Sequence, residues 1–429
     1  MGILFLLMIL FSTYDKFGFL IPLGSRSIHF SPYKVLFIVL VILYAMDYLF
    51  KGRIRNKLVF NQQLYRFIWI YIILQTITSL LGSIYTSGTV ILSSEIYYLI
   101  QRSTFIFIPL LALRCRIKPI SLLKLFLVAI IIHYAFILLQ FISPALYRSF
   151  AEFVYNPIKS DHTRFWGTER ITLDFIGLQS SSNYGTFTAA FGLLMLPFIK
   201  KKNVFGKLLA FIIVFISLFI VFAGPARAVF IMGVVTLFIY LKKTNYFSKL
   251  SSYYKVFLLA VILIFGFSLF GTPKLENFFA IDKLVNPEIA TGSNIGKWIL
   301  LYTSYEMVFV SPIVGWGQQR FLEISSAFGN TDLQHFHFLS ILVSTGLIGF
   351  TLYLAFFYRI VKSLWQSIEK DYAIVCAMYI GLFVYNLLYD AGHLDVFACF
   401  NGVVAYYALL AVNTKKLKKQ YNYKLFFKI

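Results

Sequence analysis

The chain alternates long apolar segments with shorter polar connections. A bilayer-crossing helix needs about 20 mostly apolar residues. A first run, Ile3–Phe11, lacks a basic start and a cleavage site, so it is interpreted as part of a first membrane helix that Asp15 and Lys16 interrupt. Further candidate spans, some of which must borrow flanking residues, are Val35–Phe50, Phe67–Leu81, Ile96–Leu113, Leu122–Ile142, Gly185–Ile199, Leu208–Phe222, Ala228–Leu241, Val256–Phe270, Phe338–Phe357, Ala373–Leu388 and Val396–Val412. The pattern predicts an all-α, polytopic transmembrane bundle of about 12 helices, a single integral membrane domain over residues 1–429.

Composition excludes a soluble domain. Hydrophobic residues make up 59% and charged residues 13% of the chain, and the mean hydropathy is +0.79. Soluble domains have roughly 45–50% apolar and about 25% charged residues, so lipid must be the solvent for most of this surface. The three cysteines, Cys115, Cys376 and Cys399, show no paired spacing, and no structural disulfide is expected.

The net charge of +22 is concentrated in connections. Clusters of lysine and arginine occupy every second connection, which is how membrane proteins encode orientation rather than nucleic-acid binding. The positive-inside rule then places both termini in the cytoplasm. The clustered residues are Lys51, Arg53, Arg55, Lys57, Arg114, Arg116, Lys118, Lys200, Lys201, Lys202, Lys207, Lys242, Lys243, Lys249, Arg359, Lys362, Lys415, Lys416, Lys418 and Lys419.

Two of the connections that face outward are long, at residues 143–184 and 271–337. Long connections are usually functional. The second is expected to contain an amphipathic or re-entrant helix around Trp298–Val310, so the two loops together would form a small external cap.

Ionisable residues inside apolar segments are costly and therefore mark candidate sites. Arg102 lies well inside a predicted helix, and Arg227 stands at the start of another. The alternatives are a structural arginine and an interfacial anchor, respectively. His133 is interpreted as a core histidine rather than a ligand.

The outer loops contain a denser set of polar residues with neighbouring aromatic residues. Arginine binds phosphate oxygens in bidentate fashion, tryptophan and tyrosine can stack on sugar faces, and histidine can serve as a general base. This combination suits an anionic, sugar-bearing lipid, although each lone charge could be only a solvated loop residue. The residues are His162, Arg164, Arg170, Asn183, Lys297, Trp298, Glu306, Arg320, Asp332, His335 and His337.

Metal and nucleotide sites are not expected. His335 and His337 have no nearby Glu or Cys to complete a ligand set. The Gly292–Lys297 segment is one residue shorter than a phosphate-binding loop, and Trp298 replaces its Ser/Thr. The chain is therefore expected to use no metal and no cofactor.

Motifs in the second outer loop resemble those of the O-antigen polymerase and O-antigen ligase superfamily. The sequence SPIVGWG at residues 311–317, followed by Phe321, is similar to its P-hydrophobic-hydrophobic-G-x-G…F block. HFHFL at 335–339 and TGLIG at 345–349 resemble its histidine block, and the spacing to Gly346 selects His335 as the family's histidine.

Two upstream motifs resemble the same superfamily. GPARA at 224–228 is similar to the S-R entry to a helix, and RFWGT at 164–168 with Asn183 is similar to R-x-x-G-T…N. The chain departs from the family pattern at Phe336, Ala226 and Asn294, where the family has Asn, Ser and Arg. Lys297 or Arg320 could replace the missing arginine.

The resemblance implies a metal-independent membrane glycosyltransferase. It would polymerise oligosaccharide repeat units carried on undecaprenyl diphosphate, for O-antigen, capsule or exopolysaccharide, at the outer face of a bacterial cytoplasmic membrane. His335 would deprotonate the acceptor hydroxyl, and the arginines would neutralise the diphosphate. Arg164, Arg170 and Arg227 are expected at the diphosphate, supported from below by Arg102, with Lys297, Trp298, Arg320 and His337 as further substrate-binding candidates. A chain-length regulator is a candidate partner.

Two other functions remain open. A ligase would transfer the polysaccharide to a lipid A core, but the aromatic content and imperfect motifs favour a divergent polymerase. The second alternative is a transporter rather than an enzyme, namely a flippase for the same lipid. Transporters often show internal repeats and broken helices near the midplane, and neither is evident in the sequence.

Overall fold

A computed structural model describes residues 1–13, 19–23, 26–51, 61–88, 90, 92–143, 145–146, 189–199, 204–223, 227–245, 292–317, 337–367, 369–387 and 395–411. The helices are α1 (Gly2–Phe11), α2 (Pro32–Lys51), α3 (Gln62–Ser87), α4 (Leu92–Arg114), α5 (Pro119–Ile142), α6 (Ala189–Phe198), α7 (Val204–Ala223), α8 (Arg227–Lys243), α9 (Gly292–Val310), α10 (His337–Trp365), α11 (Lys370–Asn386) and α12 (Asp395–Ala411). The helical fold class is therefore confirmed. The predicted span Val256–Phe270, most of 143–184 and much of 271–337 lie outside the described residues.

Within the part of the chain that the structure describes, three helices have the length and composition of a membrane span: Pro32–Leu49 within α2, Gln62–Thr86 within α3, and α10, which is interrupted by a bend described below. They leave large apolar side chains exposed, including Leu49, Ile73 and Leu347. Exposed apolar surface on this scale requires lipid rather than water. The chain thus has the features of a helical membrane protein, whereas the total number of spans stays a prediction.

The N-terminal region contains a helix over the predicted run Ile3–Phe11 and a β-hairpin that the hydropathy pattern did not predict. Helix α1 has ten residues, so it is about 15 Å long and cannot alone cross a hydrocarbon core of about 30 Å. It is followed by an antiparallel hairpin of β1 (Phe19–Leu23) and β2 (Arg26–Phe30). The intervening pair Gly24-Ser25 is a sequence signal for a two-residue hairpin turn.

Contacts between helix termini gather basic connections at one end of the bundle. Two hydrogen bonds join neighbouring helix ends, from Asn61 N to Leu409 O (3.1 Å) and from Tyr406 Oη to Ile117 O (3.0 Å). Lys243 Nζ donates to Trp365 O (2.9 Å) and Ser367 O (2.7 Å). Arg114 forms an ion pair with Asp47, and the Arg359 guanidinium lies 4.1 Å from the centre of the Phe67 ring. We call this the basic end, defined by Arg114, Lys243 and Arg359.

Helix α10 doubles back at the opposite end of the bundle. Gly346 has φ 63° and ψ −169°, which divides α10 into a first arm, 337–345, and a second arm, 347–365. The His337 and Tyr353 ring centres are 5.8 Å apart. In a straight helix, residues so far apart in sequence would be separated by about 24 Å. The predicted span Phe338–Phe357 is therefore helical but interrupted at Gly346.

Residues 311–317 hold this bend by backbone hydrogen bonds. Trp316 N and Gly317 N donate to the first arm, at Val343 O (2.8 Å) and Ser344 O (2.9 Å). On the other side of the bend, Leu347 N donates to Pro312 O at 2.8 Å. Pairing on both sides of Gly346 satisfies the peptide groups that the bend frees from the helix.

Glycines allow three backbone segments to meet at this bend. A Cβ added to Gly82 of α3 would lie 2.7 Å from Gly315 O, and one added to Gly315 would lie 2.6 Å from Gly346 N. Gly315, Gly317 and Gly346 all have positive φ, which L-residues with side chains rarely adopt. We call Gly82, Gly315, Gly317 and Gly346 the glycine node.

The second arm of α10 runs antiparallel along α3 from the node towards the basic end. Gln75 Nε2 donates to Gly349 O at 2.5 Å. One turn of α3 further on, the Tyr71 ring stacks on Phe356 with centres 4.1 Å apart. The node therefore fixes the register in which α10 packs on α3.

Helix α9 lies where a helix is expected in the second long connection, and its exposed face is largely aromatic, with Glu306 among the rings. Its exposed face carries Tyr302 (68% exposed), Tyr305 and Phe309, whereas Thr303 and Ser304 are buried. A helix in water would show the reverse pattern. Trp316 Nε1 donates to the Met307 backbone oxygen at 2.6 Å and ties the end of α9 to the segment that holds the bend.

Candidate functional site

A cavity of about 120 Å³, lined by aromatic and aliphatic side chains together with several polar ones, lies between α3, α4, α10, α11 and α12. It reaches from the middle of α3, α4 and α12, at Gln75, Arg102 and Asn401, to the last residue of α11 and the first of α10, at Asn386 and His337. The cavity therefore extends away from the basic end. We call it the central cavity.

Close packing of α4 on α12 positions two of its polar side chains. Thr104 Oγ1 donates to Ala398 O at 2.9 Å. A Cβ added to Gly402 would lie 2.8 Å from Thr104 O, so the two backbones approach closely there. This packing fixes the helix faces that carry Arg102 and Asn401, and both side chains line the cavity.

Arg102 supplies the positive charge of the cavity. Its guanidinium carbon lies 6.0 Å from the centre of the Tyr98 ring, and Tyr71, Glu95 and Tyr98 interact with it electrostatically. Its Nη1 is buried without a hydrogen-bond partner among the described residues. A buried guanidinium normally has its donors satisfied, so this position favours an anionic ligand.

Glu95 does not neutralise Arg102 by a direct ion pair within the described part of the chain. Its buried carboxylate lies near the start of α4 and accepts a hydrogen bond from Ser79 Oγ at 2.7 Å through Oε1. Its Oε2 is buried and has no partner among the described residues. Arg102 therefore keeps capacity for a further negative charge.

Aromatic rings form the wall of the cavity opposite α4. His337 meets Tyr353 edge to face across the bend of α10. Tyr353 stacks on Phe383 of α11 with centres 6.3 Å apart, and Phe357 stacks on Phe383 at 3.7 Å. The doubling back of α10 is what brings His337 to this wall.

Carboxamides are the part of the site that the sequence analysis missed. Gln75, Gln101, Asn386 and Asn401 come from four different helices and line the same cavity. These carboxamides could have been found in the sequence, because each lies within or at the edge of an apolar segment. Polar side chains in a membrane bundle normally face its interior, and this applies to neutral amides as well as to the ionisable residues that were predicted.

The structure brings together two of the predicted site residues, Arg102 and His337. Arg227 is the first residue of α8, and Lys297 and Trp298 lie in the second turn of α9, but their side chains are not described. The other predicted residues, His335, Arg164, Arg170 and Arg320, lie outside the described residues, as does the side chain of His133. Glu306 of α9 is exposed.

The segment 311–317, on which the family resemblance partly rests, has an architectural role in the described structure. Its backbone holds the bend of α10, and none of its residues lines the central cavity. Among the described residues, no group of three His, Cys, Asp or Glu could hold a metal ion; metal independence stays a prediction. No protein-family model matches the chain, and a search of curated proteins finds no match.

Proposed function

We propose that this protein is a membrane glycosyltransferase of the O-antigen polymerase type, which extends oligosaccharides carried on a lipid diphosphate. The central cavity carries the proposal, because it combines the Arg102 guanidinium, whose Nη1 has no hydrogen-bond partner among the described residues, with an imidazole, carboxamides and aromatic rings. Anion recognition, hydrogen bonding and ring contacts are the interactions that a phosphorylated saccharide requires.

In the proposed reaction, the acceptor sugar hydroxyl attacks the anomeric carbon of the donor saccharide. The new glycosidic bond forms as the bond between that carbon and the diphosphate oxygen breaks, and the bonding pair leaves with the diphosphate. His335 accepts the hydroxyl proton as general base. Arginines stabilise the charge on the leaving diphosphate, so that no metal is needed.

Arg102 acts in this proposal at the deepest point of the diphosphate site, below Arg164, Arg170 and Arg227. The packing of α4 on α12 holds the part of α4 that carries Arg102 before substrate arrives. A preorganised donor in a water-poor site stabilises developing charge more than a mobile loop residue can.

The orientation is also proposed. The described basic residues Arg114, Lys243 and Arg359 lie at the opposite end of the bundle from His337, one of the residues that line the cavity. If the basic end faces the cytoplasm, as the positive-inside rule requires, the cavity reaches the outer face of a bacterial cytoplasmic membrane. Reporters fused at Lys201 and Lys243 should then report cytoplasm, and one fused at Asp332 the outside.

Transfer by the purified chain tests the activity. The chain in detergent, given lipid-diphosphate oligosaccharide with a labelled sugar, should produce longer saccharides and release the lipid diphosphate. In cells, loss of the gene should leave single repeats on the outer lipid. Complete absence of attached repeats would indicate the ligase instead.

Transport of the same lipid is the second candidate, and the central cavity gives it a specific argument. Polar groups near the middle of a helical bundle are typical of transporters, and Gln75, Arg102 and Asn401 occupy such positions. Liposomes containing the chain separate the two functions: a flippase would move labelled lipid between leaflets without lengthening the saccharide, which would contradict the transferase proposal.

A further inference from the structure

A second and larger cavity lies at the basic end, apart from the central cavity. It is an open groove of about 600 Å³ between the start of α1, the C-terminal half of α2 and the end of α4. Leu43 and Met46 of α2 line it, and an added Cβ on Gly2 of α1 would meet no atom within 4 Å. Small-molecule sites have volumes of about 300–1,000 Å³, so the groove is large enough for a ligand. We call it the basic-end groove.

The polar part of the groove carries a positive and a negative charge. Arg114, the last residue of α4, forms an ion pair with Asp47 of α2 through its Nη2 atom, and both residues line the groove. A guanidinium has about five N–H donors, so this pair leaves Arg114 with donors for a phosphate. A ligand with one phosphate and one ammonium can lie antiparallel to the ion pair, and each of the four charges then has opposite charges as its neighbours.

The apolar part of the groove continues along α2 into the bundle. Val39, Leu43 and Met46 are exposed and follow one another at spacings of four and three residues, which places them on one face of the helix. Because α2 ends at the basic end, Val39 lies about 10 Å deeper in the bundle than Met46. The groove therefore joins a charged mouth to an apolar helix face, an arrangement that fits the headgroup and one acyl chain of a phospholipid.

We propose that the basic-end groove binds phosphatidylethanolamine, with the lipid phosphate on Arg114, the ammonium on Asp47 and one acyl chain along the apolar face of α2. Phosphatidylglycerol has no ammonium for Asp47. Phosphatidylcholine has one without N–H groups, so it cannot donate a hydrogen bond to the carboxylate. This inference is independent of the proposed function, and its test needs no saccharide.

Anionic phospholipids are the main competitors for this end of the bundle. Arg116 and Lys118 are exposed and follow Arg114 closely in the chain, but neither of them lines the groove. Exposed cations attract anionic headgroups without selecting a position, and salt screens that attraction. Binding is therefore measured at high salt, on the order of 0.5 M, where exposed charges are strongly screened.

Cys115 provides a reporter inside the groove. Its side chain is half-buried and lines the groove, whereas Cys376 and Cys399 are fully buried. N-ethylmaleimide should therefore modify Cys115 first, at a rate followed by mass spectrometry of the full chain in detergent. Short-chain phosphatidylethanolamine should protect Cys115 at about tenfold lower concentration than the matching phosphatidylcholine or phosphatidylglycerol, because a hydrogen bond to a charged group separates them. Equal protection by the three lipids, or protection by none, would overturn the proposal.

Two substitutions locate the lipid. Asp47→Asn keeps the size of the side chain but removes its charge, so the preference for phosphatidylethanolamine should disappear. Leu43→Trp fills the groove, leaves both charged residues in place, and should abolish protection by every lipid. It also covers the case in which Asp47→Asn does not fold.

Ile42→Trp is the matched control, because Ile42 is exposed on α2 beside Leu43 but does not line the groove. This variant should keep both the protection and the preference for phosphatidylethanolamine. A preference that survives Asp47→Asn, or protection that survives Leu43→Trp, would contradict the assignment.

Discussion

The glycine node and the central cavity share helices α3 and α10, but the node is formed by backbone and the cavity by side chains. The node consists of backbone: Gly315 and Gly346 have positive φ, and their peptide groups pair across the bend of α10. The cavity consists of side chains, among them Arg102 and Asn401. The segment that resembles a family motif is thus architectural, while the groups able to bind a ligand occupy positions outside that segment. Substitutions at the node should change stability, and substitutions at the cavity should change activity.

Gly346→Ala should have the largest effect. A Cβ there would overlap Ile313 O, and its φ of 63° is unfavourable for alanine. We expect a loss of about 3 kcal/mol or more, as for strained and overpacked sites, seen as little folded protein in detergent and a strongly lowered Tm. Gly233→Ala, where an added Cβ meets no atom within 4 Å, is the control and should leave the Tm unchanged or slightly higher. A stable Gly346→Ala protein would contradict the described bend.

His335→Ala should have the largest effect on activity without a comparable effect on folding. A general base contributes about 10²–10⁴-fold to the rate, so polymer should nearly disappear while the protein stays in the membrane at normal abundance. His337→Ala should retain part of the activity, because His337 contacts the wall at Tyr353. EDTA should not inhibit the unmodified protein. Loss of polymer in both variants together with inhibition by EDTA would point to a metal site instead.

Arg102→Gln should reduce transfer about 10²–10³-fold, the range found when one preorganised donor to a developing charge is removed. Its folding should be preserved or improved, because an incompletely satisfied buried guanidinium is costly. Arg359→Gln is the control: it removes an arginine from the basic end, where Arg359 packs on Phe67. The measurements are the transfer rate and the Tm of both variants. Equal transfer rates in Arg102→Gln and Arg359→Gln would show that Arg102 has only a structural role.

Gln75→Leu should have the smallest and most mixed effect, because Gln75 belongs to both regions. It lines the cavity and donates to Gly349 O, three residues past the bend. Losing that hydrogen bond should cost about 0.5–1.5 kcal/mol, because Gly349 O keeps its partner within the second arm of α10, and it should lower transfer about tenfold or less. Gln63→Leu, at an exposed position at the start of α3, serves as the control. If Gln75→Leu changed only the Tm or only the transfer rate, the glycine node and the central cavity would be independent of each other at Gln75.

The sequence predicted the helices well because the cost of burying peptide groups in lipid leaves few alternatives for a long apolar run. The described parts of Phe67–Leu81, Ile96–Leu113 and Ala373–Leu388 are helical. The hairpin of β1 and β2 was not predicted because hydropathy alone does not reveal turns; the pair Gly24-Ser25 is the local signal for one. The bend at Gly346 was missed because an apolar pattern does not reveal φ, even where a glycine is noticed.

The site was predicted in part. Arg102 was predicted because a charge inside an apolar segment is energetically costly, and His337 because histidine has versatile chemistry. The sequence around each residue does not indicate that the two share a cavity. Their proximity depends on the packing of α10 on α3 and on the reversal of α10, which are tertiary features. Asn401 was missed for a different reason: a neutral amide carries no charge signal, and its role becomes visible only beside Arg102.

The chain order of the contacts at the bend of α10 has a consequence for biosynthesis. Gly82 on α3 and the segment 311–317 both precede Gly346, so the ribosome has delivered every partner of the bend by the time α10 is complete. The central cavity also needs α11 and α12, which follow α10 in the chain. Since chains fold from the N-terminus as they are made, the reversal of α10 can form before α11 and α12 have joined the bundle. At that stage the residues of α11 and α12 that line the cavity beside Arg102 are not yet in place, and the cavity is complete only when α12 has packed into the bundle.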